Sequence, residues 1–172
     1  MTSSIVKPPK HRVIPAAFTF VLNERGEVLL HRRFNTGFRD GEYDVPSGHP
    51  EPGEVHEDNT YDGEMLNVTA ARETLEEVGL EAEPKDLELF HLITNEGETP
   101  GKPYLYLCFR VGLTACKGEA RIMEPDKCDD LGWFAVDQIP ENTVPHVKQA
   151  IGHITSAHVT FSTLARPQQI TS

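Results

Sequence analysis

Arg72-Glu73-Thr74-Leu75-Glu76-Glu77-Val78-Gly79-Leu80 is the stretch from which the rest of the chain becomes readable. Its spacing predicts the end of a helix running from about Met65 to Val78, with Gly79 as the stop. On a wheel with Glu73 at zero, Glu76 falls at about 300° and Glu77 at about 40°. Val68, Ala71, Leu75 and Val78 fall between about 140° and 220°. Three carboxylates are therefore expected on one face, with an apolar stripe opposite. A solvated acidic face is the plain reading of such a helix. Two facts oppose it. Glu73 repels Glu76 at i,i+3 and Glu77 at i,i+4. Glu76 and Glu77 also sit in the last turn, where the helix dipole favours cations. Folding requires none of this, whereas a hard divalent cation such as Mg²⁺ would reward it. Arg72, the nearby cation, is placed to pair with Glu76 or with an acid of the preceding loop and so fix a ligand's rotamer.

That loop reads Pro46-Ser47-Gly48-His49-Pro50-Glu51-Pro52-Gly53-Glu54. Its glycines permit positive φ and its prolines fix φ, so it can turn main-chain groups toward a metal or phosphate. An ordinary surface turn has the same composition.

Outward from there, Val13–Leu22 and Glu27–Arg33 read as a hairpin around an Asn-Glu-Arg-Gly turn. Tyr43–Val45 is a short strand ended by Pro46, and a long loop is expected from Ser47 to about Gly63. Leu87–Ile93 and Pro103–Val111 read as strands. In the latter, Tyr104, Tyr106, Cys108 and Arg110 share one face and Leu105, Leu107, Phe109 and Val111 the other. Gly118–Met123 and Leu131–Val136 are further strand candidates. Val144, Val147, Ile151 and Ile154 mark a second helix over 144–155. The expectation is one α/β domain at 13–165, a mixed sheet between helices, with tails at 1–12 and 166–172.

The 172 residues carry 16 Lys and Arg against 27 Asp and Glu, a net charge of −11. That balance argues against a duplex nucleic acid partner and an anionic membrane surface, which reward a basic face. A small phosphorylated substrate remains compatible, because a bound cation supplies local positive charge. The three cysteines, Cys108, Cys116 and Cys128, form no C-x-x-C pair, which points to a reducing compartment and a cytoplasmic location. Residues 1–12 lack the apolar core of a signal peptide, and no run is long enough to span a membrane.

Loop and helix together resemble the Nudix hydrolase signature, G-x5-E-x7-R-E-U-x-E-E-x-G-U, with U a bulky apolar residue. Gly48-x5-Glu54 fits the first part and Arg72 to Leu80 the last, with Thr74 where a bulky aliphatic is usual. The interval from Glu54 to Arg72 holds ten residues more than the pattern, about Val55 to Glu64. Gly63-Glu64 restores the second spacing, so either Glu54 or Glu64 can fill the loop role. The resemblance, to a MutT-like subgroup, extends over roughly residues 13–160. It includes Arg32-Arg33, Asn35-Thr36-Gly37, Asp40-Gly41, Glu124 to Asp130 before Leu131-Gly132-Trp133-Phe134, and Ile139-Pro140-Glu141-Asn142.

The resemblance implies an α/β/α sandwich around a mixed sheet. It also implies hydrolysis of a diphosphate linkage in a nucleoside diphosphate derivative or nucleoside triphosphate, with Mg²⁺ or Mn²⁺. Glu73, Glu76 and Glu77 are then the metal ligands, and Arg72 orients a catalytic glutamate. The backbone at Ser47 and Gly48 faces the metal and substrate, and Arg33 is a substrate contact. The general base is Glu73, Glu124 or Asp126. Arg32, Arg33, Arg39 and Lys102 are candidate phosphate contacts that each read singly as solvated surface, Trp133 and Phe134 read as core, and His49 and His56 as loop histidines without visible partners. Cys128 lacks a neighbouring base in the sequence. The partner is a small nucleotide, and a homodimer is compatible with the fold. A non-catalytic nucleotide-binding module is the competing reading. Such modules usually lose helix carboxylates, and all three remain here. A calcium-binding domain lacks its EF-hand spacing.

Overall fold

Every residue from Ala16 to Val21 in β1 (Ile14–Leu22) is buried. Apolar burial on both faces belongs to the middle of a sheet covered on both sides. The computed structural model describes residues 12–54, 65–95 and 102–164. In chain order β1 is followed by β2 (Glu27–Arg33), β3 (Tyr43–Asp44), β4 (Ser47–Gly48) and α1 (Met65–Val78). Next come β5 (Glu81–Ala82), β6 (Glu88–Asn95), β7 (Tyr104–Gly112), β8 (Cys116–Lys117), β9 (Cys128–Ala135), α2 (Pro145–Ile151) and β10 (Thr160–Leu164).

The main sheet runs β10-β6-β7-β1-β2-β3, with β4 added to β1 and β9 to β2. β1 pairs in parallel with β7, and β10 in parallel with β6. The β1–β2, β6–β7 and β2–β9 pairs are antiparallel. The sheet is mixed, as expected. One face packs Phe18, Phe20, Leu30, Phe90 and Ile93 against Val147, Ala150 and Ile151 of α2. The other packs Ala17, Val21, Leu29, Phe109 and Val111 against Ala70 and Val78 of α1. The alternation read in β7 divides between these two cores, with Cys108 in the first and Phe109 and Val111 in the second. The result is an α/β/α sandwich.

Several local readings differ from the structure, among them the strand read at Leu131–Val136, which begins at Cys128, and the two-residue strands β5 and β8, which were not expected. Gly118–Met123 is not a strand. Its Arg121 and Met123 amides donate to the Val78 and Glu77 carbonyls, so the segment satisfies the end of α1 instead of a sheet edge. The second helix stops at Ile151, and tight turns carry the chain to Ser156. The loop after Pro46 opens with the two-residue strand β4. β10 was not expected, because Thr160-Phe161-Ser162-Thr163-Leu164 is polar and half-exposed at the sheet edge. Both predicted tails lie largely outside the described residues, as do Glu64 and His56.

Candidate active site

α1 ends where expected. Gly79 takes a φ of 73°, and its amide donates to the Leu75 carbonyl. Only glycine enters that region without strain. The helix is rotated from its expected setting, however. Thr69, Ala70, Thr74 and Val78 are its buried residues, while Leu75 of the supposed apolar stripe is 45% exposed. Burying the threonines costs little here. The Thr74 hydroxyl donates to the Ala70 carbonyl at 2.6 Å, and the Thr69 hydroxyl lies 2.7 Å from Glu54 Oε2. This rotation turns Glu73 and Glu77 inward. The Glu77 side chain is only 18% exposed, whereas Glu76 is 54% exposed.

What they meet is β4. It is held on β1 through the pairs Ala17–Gly48 and Phe18–Ser47, and by the Thr19 amide donating to the Pro46 carbonyl. The Ser47 N–H donates to Glu77 Oε2 at 3.1 Å. Gly48 packs so closely on Glu73 that a Cβ there would lie 1.7 Å from Glu73 Oε1. The turn-forming composition of the loop thus serves a close approach of backbone to carboxylate.

Arg72 binds the cluster together. Its Nε donates to Glu54 Oε1 at 2.6 Å, and its Nη1 to Glu73 Oε1 at 2.8 Å and Glu76 Oε2 at 2.9 Å. Its Nη2 donates to the His49 carbonyl at 3.1 Å. Both alternatives raised for Arg72 are therefore realised, a partner on its own helix and one in the preceding loop. Glu54 is 7% exposed and also accepts the Glu51 N–H.

The carboxylates divide electrostatically. Burial would raise Glu54, but Arg72, the Glu51 amide and Thr69 hold it below the usual range. Glu73 is raised by burial, with Glu76 and Glu54 adding to the effect against Arg72. Glu77 is pushed well above the ordinary value by burial and by the charges of Glu73, Asp44 and Glu124, opposed by the Ser47 amide. Among the described residues it has no Lys or Arg within salt-bridge range.

Glu124 lies in the segment folded over the end of α1, bonded to Lys127 Nζ at 2.7 Å and acting electrostatically on Glu77 and His31. Asp126 beside it is exposed. Arg33 stands 3.6 Å from the buried Asp44 carboxylate and donates to the Phe38 carbonyl. Arg32 forks onto Asp129, Arg39 pairs with Glu42, and Lys102 is exposed. Trp133 and Phe134 are half-buried against opposite cores. Burial raises Cys128, which removes thiolate character. His49 is exposed.

Three residues beside the carboxylates were not singled out from the sequence. Asp44 is buried, with His146 Nε2 at 3.4 Å, and its β-ladder partner His31 places Nε2 3.8 Å from Glu77 Oε2. Burial would raise Asp44, but His146, His31 and Arg33 outweigh it and lower it. The available signal was an acid inside the apolar Tyr43-Asp44-Val45 run.

Among the described residues, no three His, Cys, Asp or Glu side chains already converge as a ligand set. Arg72 occupies Oε1 of Glu73 and Oε2 of Glu76. The donor chemistry still suits a hard cation: a mostly buried carboxylate with no Lys or Arg partner among the described residues, a second carboxylate pressed on Gly48, and further negative charge nearby.

A family model for the NUDIX domain matches residues 12–153. The structure of a MutT NUDIX hydrolase from Burkholderia pseudomallei superposes with a TM-score of 0.67 at 22% identity, covering 84% of this chain and 99% of that one. The MutT protein from Methanosarcina mazei Go1 gives 0.63 at 19% identity, with 84% and 94% covered. A UDP-X diphosphatase gives 0.61 at 16% identity, with 90% and 70% covered. At these identities the structural likeness is one of fold.

Proposed function

This chain belongs to the NUDIX domain family as a Nudix hydrolase, and on that premise we propose that it cleaves the diphosphate linkage of a nucleoside diphosphate derivative or nucleoside triphosphate with Mg²⁺ or Mn²⁺. The observation that carries the proposal is the Glu77 carboxylate, buried beside Glu73 at the Ser47–Gly48 strand without a cationic partner among the described residues. Keeping such a charge in a folded core is costly unless a cation joins it.

In this reading Glu73 and Glu77 would hold the cation, with Glu76 beside them. A cation there would supply charge neutralisation for the diphosphate and acidify the attacking water. Arg72 keeps Glu73 in place and, through Glu54, ties the helix to the loop. The Ser47 amide fixes one oxygen of Glu77. Arg33, beyond Asp44, is the side chain assigned to substrate. Glu73 or Glu124 takes the proton of the attacking water. For Glu124 this requires release from Lys127, to which it is bonded. Positioning and charge stabilisation supply most of the catalysis of phosphoryl transfer.

The test is product release from a panel of nucleoside diphosphate derivatives and triphosphates, with Mg²⁺, with Mn²⁺ and with chelator, alongside Glu77→Gln. Metal-dependent cleavage lost in the variant is the expected result. Cleavage that survives both the chelator and the substitution would sink the assignment.

A further inference from the structure

His31 lies in the middle of the β2 ladder, paired with Asp44 on one side and Leu131 on the other. Its side chain is 7% exposed, and neither ring nitrogen has a hydrogen-bond partner among the described residues. Stability alone favours an apolar side chain at such a position, because buried polar atoms are normally satisfied. The imidazole neighbours two carboxylates whose situations differ, its ladder partner Asp44 and, across the sheet-helix contact, Glu77. Asp44 is answered by Arg33 at 3.6 Å and His146 at 3.4 Å. Among the described residues Glu77 has the Ser47 amide and, 3.8 Å from its Oε2, the Nε2 of His31. That gap is longer than a hydrogen bond, and a small turn of the carboxylate closes it.

We propose that His31 is a positioning residue for Glu77: its buried imidazole, together with the Ser47 amide, holds Oε2 of the carboxylate and so sets the orientation in which the group would meet a cation. Both groups address the same oxygen, which fixes the carboxylate's rotation about its last bond. Partners of this kind behind a metal ligand commonly govern affinity for the metal as strongly as the ligand's own orientation does. The assignment rests on the metal-dependent reading above. It adds to that reading a residue contributed by the sheet instead of the helix.

The experiment is Mn²⁺ binding to the full chain, followed by the paramagnetic resonance of free Mn²⁺, for the unsubstituted protein, His31→Leu and His31→Gln. Loss of the imidazole in His31→Leu is expected to weaken Mn²⁺ binding about 10–100-fold, and the amide of His31→Gln to restore most of it. A second readout needs no variant: Mg²⁺ is titrated while the imidazole nitrogen resonances are followed. His31 is expected to shift with saturation. His91, whose ring nitrogens lie 2.6 Å and 2.7 Å from the Thr160 and Ser162 hydroxyls, is expected to stay unmoved. A folded His31→Leu chain binding Mn²⁺ as tightly as the unsubstituted one overturns the inference, as does a His31 resonance indifferent to Mg²⁺. An unsubstituted chain that binds no Mn²⁺ overturns the metal-dependent reading itself, and this inference with it.

Discussion

Arg72 Nε lies 2.6 Å from Glu54 Oε1, an ion pair that joins α1 to a loop residue eighteen positions earlier. By spacing either Glu54 or Glu64 suits that role, and Glu54 is the one within the described residues. Glu54→Gln is expected to lower kcat/KM by about 10-fold or more, because it weakens a charge-assisted bond to the residue that fixes Glu73. Glu64→Gln is expected to leave activity within about threefold of the original, the ordinary scatter of a neutral substitution. Steady-state kinetics on both variants separates the two. A larger loss in the Glu64 variant would reverse the assignment.

Glu77→Gln should divide activity from stability. Turnover is expected to fall by about 10²-fold or more. The metal-free fold should gain on the order of 1–3 kcal/mol near pH 8, through relief of a buried unpaired charge. The sign follows from the raised folded-state value. The favourable contribution of the protonated group is complete below its unfolded value of about 4.3 and is lost as pH rises through the higher folded one. The advantage of the Gln variant should therefore vanish near pH 4. Chelator-treated thermal melts at the two pH values measure it, and equal Tm differences at both would contradict it.

Gly48→Ala should be among the most damaging single-atom additions in the chain. The new Cβ would meet Glu73 Oε1 at 1.7 Å, so carboxylate or strand must move. A stability loss of about 1–3 kcal/mol is expected, as for overpacking in a fitted site. Activity should fall further than the melting curve alone explains. Denaturant titration and kcat measured on the folded fraction distinguish these effects.

Arg72→Lys keeps the charge and loses the fork that reaches Glu54, Glu73, Glu76 and the His49 carbonyl together. A point-charge ammonium cannot hold all four. kcat/KM is expected to drop about 10–100-fold, with cation affinity weakened as well. Isothermal titration with Mn²⁺ and initial-rate kinetics read the two effects. Rates unchanged from the original would show that the fork is dispensable.

The helix illustrates what a linear reading captures and what it misses. Its limits, Met65 and Val78, followed from periodicity and the Gly79 stop. Its orientation did not, because the wheel assumed that Leu75 marks the inside. The core instead accepts Thr69 and Thr74, whose hydroxyls find nearby acceptors, and the helix turns its carboxylates toward β4. The strand β10 and the inward Asp44–His146 pair escaped for a related reason. Their placement is decided by partners distant in sequence, His91 for Thr160 and α2 for Asp44, and local apolar patterning carries no trace of those encounters. The box carboxylates and Arg72 were legible because their spacing alone brings them together on one helix.

The clamp around Glu54 also makes the chain modular at one point. Glu54 is anchored to Thr69 and Arg72 of α1, so the last described residue of the loop is tied directly to the helix that begins at Met65. Closing a longer loop between fixed ends costs little, about 0.6 kcal/mol for each doubling of length. Replacing residues 55–64 by a peptide of another length is therefore expected to leave the Tm within a few degrees and the hydrolysis rate near the original, because the tie between loop and helix runs through Glu54 and Arg72.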